Sequence, residues 1–262
     1  MDTNKTAKIL INVFLVIGAG VLIFFLISSN LLSEDMITWG ILILIVVFML
    51  VGFIYSAWAG KRRKEGLTQI ASEMGYTFLP EDKEFNGQLQ AAGQFEIFSK
   101  GHSRKAYNIL RGQRRDAQVA VFDYKYTTGG GRSSQTHHLT LALLTLSQAE
   151  LVQFSLRPRR MFDKLASRFG QKEMNFASAI EFSKKYLVQG NDEEAVRRLF
   201  NPSVMALFEQ QNNLSCEATA TQLLVYRSDK TVKPEELRTF LDNAAQFLEL
   251  MRRPAYDYSF TR

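Results

Sequence analysis

The stretch AQVAVFDYKYTTGGGRSSQTHHLTLALLTL, Ala117 to Leu146, predicts two antiparallel strands joined by a glycine-rich turn. The strands cover Ala117–Thr127 and Thr136–Leu146, and their runs AVAVF and LTLALL are apolar on both faces. Such runs are typical of strands that lie in the middle of a sheet or are covered on both sides. A third strand, Ala106–Arg111, precedes them, with Arg114–Asp116 as the intervening turn. Together they predict a mainly antiparallel sheet.

Helical patterns flank these strands and complete an α+β fold class with helices packed on the sheet. Apolar residues recur at every third or fourth position of Pro234–Arg253, with acids first and arginines last, which predicts an amphipathic helix. Asn191 or Asp192 can cap another helix, and Pro158 can begin a further one. Phe182–Val188 has the pattern of a strand.

Two long apolar segments near the N-terminus predict a transmembrane hairpin. Ile9–Leu32 and Met36–Ala59 each contain 24 residues without a charge. As helices they would be roughly 36 Å long, enough to cross the hydrocarbon layer of a membrane. Only Ser33–Asp35 connects them, so the two helices must be antiparallel. The predicted domains are residues 1–64, the hairpin, and residues 65–262, a cytoplasmic α+β domain.

The charges around these segments predict the orientation. Four cations, Lys61, Arg62, Arg63 and Lys64, follow the second segment directly, whereas the short connection carries only acids. By the positive-inside rule both termini are cytoplasmic, and the protein is predicted to be a multi-pass protein of the bacterial inner membrane. The same four cations are predicted to contact anionic lipid headgroups at the membrane surface.

Charge and cysteine usage limit the partners of the soluble part. Residues 65–262 contain 26 Lys and Arg against 23 Asp and Glu, so the basic net charge of the chain does not indicate a nucleic-acid-binding surface. The single cysteine, Cys216, cannot form an internal disulfide and fits a reducing compartment. The predicted partners are the lipid bilayer and another membrane protein, without nucleic acid.

The glycine-rich turn is the segment that most resembles a ligand-binding loop. A phosphate-binding loop needs glycines followed by Lys and then a helix whose N–H groups face the anion. Here Gly129, Gly130 and Gly131 are followed by Arg132 and then by a strand. The segment is therefore predicted to be a mobile β-turn, and its contact with a ligand or partner stays open.

The three histidines provide the remaining candidate chemistry. His137 and His138 are adjacent on a strand and point to opposite faces, so they are not expected to bind one metal ion together. If the hairpin closes symmetrically about Gly130, Asp123 lies opposite His137, and a carboxylate there could orient an imidazole. The alternative catalytic interpretation uses Asp123, His137 and His102, although no GxSxG, HExxH or CxxC motif accompanies them.

Several sequence elements together resemble a known family. They are FSKGHSRKAYNILRG, FDYKYTTGGGRSSQTHH, FSLRPRRMFDKL, YLVQGNDEEAVRRLF and VKPEELRTFL. With them the chain resembles a family of uncharacterised bacterial membrane-anchored proteins, over most of residues 65–250. The resemblance implies a bacterial setting and a cytoplasmic domain beside the membrane. It implies no catalytic or binding residue.

Two functional interpretations follow. The first is a membrane-anchored cytoplasmic module that binds or senses a partner, without enzymatic activity, cofactor or metal. The alternative is a membrane-anchored hydrolase, which requires Asp123, His137 and His102 to converge on a pocket that solvent can reach. In either case Asp123 follows an apolar run and is expected to be buried, with His137, Tyr107 or a backbone N–H as its donor.

Overall fold

The computed structural model describes residues 34–91, 95–159, 172–211, 213–227 and 230–252, together with Gly18 and Gly20. Its contacts divide the chain into two compact units, residues 1–62 and residues 63–262. The first predicted membrane segment, Ile9–Leu32, lies outside the described residues except for the two glycines, which are helical. The predicted hairpin between the two segments therefore also lies outside them.

The first described helix, α1, is long and apolar. It runs over Glu34–Glu73, and its part Thr38–Glu73 is long and apolar enough to cross a membrane, with a mean hydropathy of 2.7 in its 18-residue window. Most of the exposed large apolar side chains among the described residues lie on this helix between Trp39 and Tyr55. The helix gives way to a turn in which Gly75 has a φ of 68°, a conformation that favours glycine.

The second unit is built on one sheet whose strand pairs are all antiparallel. In the part of the chain that the structure describes, the strand order is β1-β2-β3-β4-β9-β8-β5-β7-β6. The strands are β1 (Thr77–Leu79), β2 (His102–Arg114), β3 (Ala117–Thr128), β4 (Gln135–Thr145), β5 (Phe154–Pro158), β6 (Lys172–Met174), β7 (Tyr186–Gly190), β8 (Leu214–Ala218) and β9 (Gln222–Arg227). The predicted α+β fold with a large antiparallel sheet is thus confirmed.

Short helices connect the strands or pack on the sheet. They are α2 (Lys83–Ala91), a 3-10 turn (Glu96–Ser99), α3 (Ile180–Lys185), α4 (Glu193–Leu199), α5 (Pro202–Glu209) and α6 (Leu237–Met251). Their starts follow local rules: Asp192 accepts a hydrogen bond from the N–H of Ala195, and Asn201 caps the helix that Pro202 begins.

Apolar side chains form one core on each face of the sheet, because neighbouring residues of a strand point to opposite faces. Val119 and Val121 belong to the larger core, which also contains Leu67 of α1 and the apolar stripe of α6. Phe122 and Tyr124 belong to the smaller core, under α2 and the 3-10 turn. The last turns of α1 are therefore part of the second unit.

Two local predictions were wrong. Phe182–Val188 was expected to be a strand, but α3 occupies its first half and β7 begins only at Tyr186. Pro158 was expected to begin a helix, but it is the last residue of β5. The helix predicted after Pro158 lies outside the described residues, which omit 160–171.

Candidate functional site

Asp123 is the centre of a buried polar network in the middle of the sheet. It lies on β3 and is 1% exposed, on the same face of the strand as Val119 and Val121 of the larger core. Arg63, on α1, donates to its carboxylate twice: Nε to Oδ2 at 2.7 Å and Nη2 to Oδ1 at 2.6 Å. This two-point geometry is that of a strong arginine–carboxylate pair.

Two further side chains complete the hydrogen bonding of Asp123. Asn108 Nδ2 donates to Oδ2 at 2.8 Å, and Thr140 Oγ1 donates to Oδ1 at 2.8 Å. Thr140 Oγ1 also accepts from the backbone N–H of Val232 at 2.9 Å, while the carbonyl of Val232 accepts from Arg63 Nη1 at 2.8 Å. The network thus joins α1, three adjacent strands and the segment before α6.

A bulge in β2 brings Asn108 into this network. The pairing of β2 with β3 shifts between Tyr107 and Leu110, and Asn108 has a φ of 51°, a conformation in which asparagine is enriched. Its N–H donates to the carbonyl of Pro80 at 2.9 Å. A bulge of this kind redirects one side chain relative to the regular alternation of a strand.

The electrostatics of the network favour the ion pair. Burial opposes the charge of Arg63, but the hydrogen bond and attraction from Asp123 outweigh it, and the pKa of Arg63 is raised. Burial, together with the negative charge of Asp123, raises the pKa of Tyr107 to about 12. The Tyr107 hydroxyl lies 3.2 Å from Nδ1 of His138. Tyr107 therefore borders the network as a neutral phenol.

The predicted pair of Asp123 with His137 does not form. Asp123 lies opposite Thr140 on β4, and His137 lies opposite Tyr126. The hairpin closes around a 3-10 turn, Gly131–Ser133, instead of symmetrically about Gly130. The resulting shift of three residues is odd, so it moves His137 to the other face of the sheet.

His137 and His102 have separate surroundings. The His137 ring stacks on Tyr126 at 4.8 Å between ring centroids, and its Nε2 lies 2.9 Å from Thr128 Oγ1. His102 is exposed, with Nε2 3.1 Å from the carbonyl oxygen of Gly129. The structure therefore brings neither histidine into the hydrogen-bonding shell of Asp123.

The glycine-rich turn is an exposed hairpin end. Gly129 has a φ of 73° and Gly131 a φ of 57°, which explains why glycines stand at both positions. A Cβ atom on Gly129 would lie 2.5 Å from the carbonyl oxygen of Ser133, whereas one on Gly130 would meet nothing within 4 Å. Arg132 is exposed on the same turn. The contact of these residues with a ligand or partner remains a proposal.

The four cations after the second apolar segment have different surroundings. Lys61 and Arg62 belong to the first unit, where the guanidinium of Arg62 lies 5.1 Å from the centre of the Trp58 ring. Lys64 is exposed. Arg63 was predicted to contact the membrane surface, but its guanidinium is engaged by Asp123 and its side chain is only 21% exposed. The periodicity of α1, which buries Leu67 four residues later, is a signal that could have indicated this.

A second buried polar group lies around Glu217 on β8. Its carboxylate accepts from Tyr226 Oη at 2.8 Å and from the N–H of Glu96 at 2.6 Å. Burial raises the pKa of Glu217, although both hydrogen bonds oppose the shift. Burial likewise raises the pKa of the Cys216 thiol well above its ordinary value, as expected for an inert cysteine.

Other sites that could bind a ligand lie away from these residues. Two surface cavities of about 480 and 500 Å³ share Arg159 and Lys184, and none of the predicted site residues lines either cavity. Within the described ranges, no group of three or more His, Cys, Asp and Glu side chains could hold a metal ion. Neither cavity includes a residue of the Asp123 network.

Comparisons with known proteins show the fold of the chain. No protein-family model matches the sequence, and no curated protein is significantly similar to it. The structure is similar to the crystal structure of the mycobacterial trehalose monomycolate transport factor A, TtfA, with a TM-score of 0.54 and 15% sequence identity. The similarity covers 74% of this chain and 97% of that chain. The α+β architecture is therefore shared with a bacterial protein of known structure.

Proposed function

We propose that the protein is a membrane-anchored cytoplasmic module that binds or senses a partner at the bacterial inner membrane and has no enzymatic activity. The observation that carries this proposal is the ion pair between Arg63 and Asp123. It joins the last turns of α1 to strand β3, so the folded domain includes the residues that follow the predicted membrane segment. Such a domain is suited to act beside a membrane.

The composition of α1 supports the anchor. Its apolar side chains from Trp39 to Tyr55 are exposed in the described residues, and an exposed apolar surface of this extent is suited to lipid or to another membrane protein. We propose that Ile9–Leu32 and Met36–Ala59 both cross the membrane. The cations after the second segment then place both termini in the cytoplasm.

The bonding of Asp123 supports a structural role over a catalytic one. An ionised carboxylate offers about four lone-pair sites, and Asp123 accepts four hydrogen bonds: two from Arg63, one from Asn108 and one from Thr140. An aspartate that oriented a histidine would need one of these sites for the imidazole N–H. The alternative hydrolase built on Asp123, His137 and His102 is therefore less well supported.

The structural similarity also supports a role without hydrolase activity. TtfA is described as a transport factor, and we propose a role of a similar, non-hydrolytic kind for this chain. This is an analogy at the level of the fold. For this chain we propose another membrane protein as the partner, contacted through the exposed turn from Gly129 to Arg132.

Site-specific photo-crosslinking in native membranes tests this proposal. A photoreactive amino acid replaces Arg132 in the full chain, and the matched control carries it at Gln148, which is exposed in the loop after β4. We expect a discrete cross-linked membrane protein, identified by mass spectrometry, from position 132 and not from position 148. Absence of that product at 132, or the same product at both, would exclude the turn as a specific contact. Extraction of the chain by an alkaline wash would exclude the anchor.

A further inference from the structure

Three cationic or basic side chains form a row across adjacent strands beside the Asp123 network. Lys105 on β2 lies opposite Lys125 on β3, and Lys125 lies opposite His138 on β4. Residues opposite each other in antiparallel strands share a face, and like charges in that position destabilise the pair. Lys105 is paired with Glu81, but Lys125 has no carboxylate partner among the described residues, so the row suggests an external anion.

Lys64, on α1, acts on the same carboxylate, Glu81, as two lysines of this row. Glu81 pairs with Lys105 at 2.8 Å. Its hydrogen bond with Lys105 and the attraction of Lys105, Lys64 and Lys125 lower the pKa of Glu81. In the described part of the chain neither Lys64 nor Lys125 takes part in an ion pair. The nearby carboxylate of Asp123 is already bonded to Arg63, so positive charge is in excess on this surface.

We propose that Lys64, Lys105, Lys125 and His138, the basic row, bind the phosphate headgroups of anionic lipids. This inference rests on the proposed membrane anchor. Lys64 follows Ala59, the last residue of the predicted membrane segment, by five positions, which is about 8 Å of helix. The headgroup layer on each side of the hydrocarbon is of similar thickness, about 5 to 8 Å.

The chemistry of the row fits a lipid surface. Lysines are flexible point charges that approach headgroups without a preformed pocket, and basic residues near a membrane are attracted to anionic lipids. Lys105 and Lys125 are half-buried, while Lys64 and His138 are exposed. The row is therefore an open basic surface of the second unit.

Lysine footprinting of the full chain in lipid nanodiscs tests the inference. One set of nanodiscs contains phosphatidylcholine alone, and the other also contains phosphatidylglycerol. The acetylation rates of Lys64, Lys105 and Lys125 are measured by mass spectrometry, with Lys184 as the control, because it is exposed and lies on helix α3, which precedes β7. We expect acetylation of the three lysines to slow about fivefold in the anionic nanodiscs at low salt, and the protection to disappear at high salt.

The other outcomes would overturn the inference in distinguishable ways. Equal rates in both nanodiscs, or equal slowing of Lys184, would exclude a specific lipid-binding surface while leaving the anchor intact. Protection by inorganic phosphate added to the neutral nanodiscs would assign the row to a soluble anion instead of a lipid. Failure of the chain to enter nanodiscs would overturn the membrane anchor itself, and this inference with it.

Discussion

Arg63 and Asp123 lie 60 residues apart in the chain and are joined by two charge-assisted hydrogen bonds of 2.7 and 2.6 Å. The pair is shielded unequally, because the side chain of Asp123 is 1% exposed and that of Arg63 is 21% exposed. Removal of either partner would leave a charge in a largely buried site without its counter-charge, which is more costly than loss of an exposed ion pair. We therefore expect the end of α1 and the centre of the sheet to unfold together.

A double-mutant cycle measures this pair. Asp123→Ala and Arg63→Ala should each lower the free energy of unfolding of the full chain by about 3 kcal/mol, the lower end for a broken buried pair. The coupling energy between them should be at least ~1 kcal/mol. The free energy of unfolding is measured in mild detergent from the rate at which a thiol reagent labels Cys216 at increasing urea concentrations. Labelling reports unfolding because this single cysteine is fully buried.

The same assay with His137→Ala is the control for that cycle. His137 bonds to Thr128 and lies on the opposite face of the sheet from Asp123. The changes in the free energy of unfolding caused by His137→Ala and Asp123→Ala should be additive in the double variant to within about 0.5 kcal/mol. Strong coupling of Asp123 with His137 and none with Arg63 would contradict the hydrogen-bond network described above.

Two neighbouring glycines of the exposed turn should differ in their tolerance of a side chain. Gly129→Ala places a Cβ 2.5 Å from the carbonyl oxygen of Ser133 at a φ of 73°, and we expect it to lower the free energy of unfolding by about 1 to 2 kcal/mol. Gly130→Ala meets no neighbour, and Arg132→Ala removes an exposed side chain, so each should stay within about 0.5 kcal/mol. Equal decreases in the free energy of unfolding of the two glycine variants, measured by the Cys216 assay, would be inconsistent with this turn geometry.

Glu217 should make the stability of the domain depend on pH. Its folded-state pKa is raised above the ordinary value of 4.5, so the folded state binds the proton more tightly than the unfolded state. The stabilisation is complete below pH 4.5 and is lost as the pH rises through that value towards the raised pKa. Glu217→Gln is uncharged throughout. We therefore expect the free energy of unfolding of this variant, minus that of the unaltered chain, to increase as the pH rises above 4.5.

Urea unfolding followed by far-UV circular dichroism at several pH values provides this difference. Glu181→Gln is the matched control, because the side chain of Glu181 is 76% exposed. The Glu181 variant should show a difference that hardly changes with pH. If the free energy of unfolding of Glu217→Gln, minus that of the unaltered chain, is constant or decreases with rising pH, then burial does not destabilise the carboxylate.

The membrane topology can be tested with reporter fusions. A reporter that is active only outside the cytoplasm should be inactive when fused after Arg262, because the cations after Ala59 retain that side of the segment in the cytoplasm. The same reporter fused after Asp35, between the two predicted segments, should be active. Activity after Arg262 would reverse the orientation, and inactivity after Asp35 would exclude the two-segment hairpin.

Features that depend on neighbouring residues were predictable from the sequence. The helix α6 was identified from its apolar stripe, and the strands β3 and β4 from their apolar runs and the glycines between them. The cap of α4 was narrowed to Asn191 or Asp192 from their side chains, and the structure has Asp192. Each of these signals acts over a few residues, either through helical periodicity or through a local hydrogen bond. The α+β class follows from such elements taken together.

Features that depend on pairing between distant segments were not predictable in the same way. The short strands β1 and β6 contain three residues each, too few for a period of two to identify them. They and the five-residue strand β5 are strands because neighbouring strands supply their hydrogen bonds. The hairpin register was displaced by three residues because a 3-10 turn, and not the central glycine, closes the loop.

The candidate site also combines a feature that local sequence determines with one that depends on distant segments. The sequence by itself determined that Asp123 would be buried and would need donors, because a carboxylate follows an apolar strand. Only the tertiary structure decided which donors it has: Arg63 from a helix that enters the domain 60 residues earlier, and Asn108 from a bulge. A buried charge requires a partner, but its identity depends on which segments the packing of the two cores brings together.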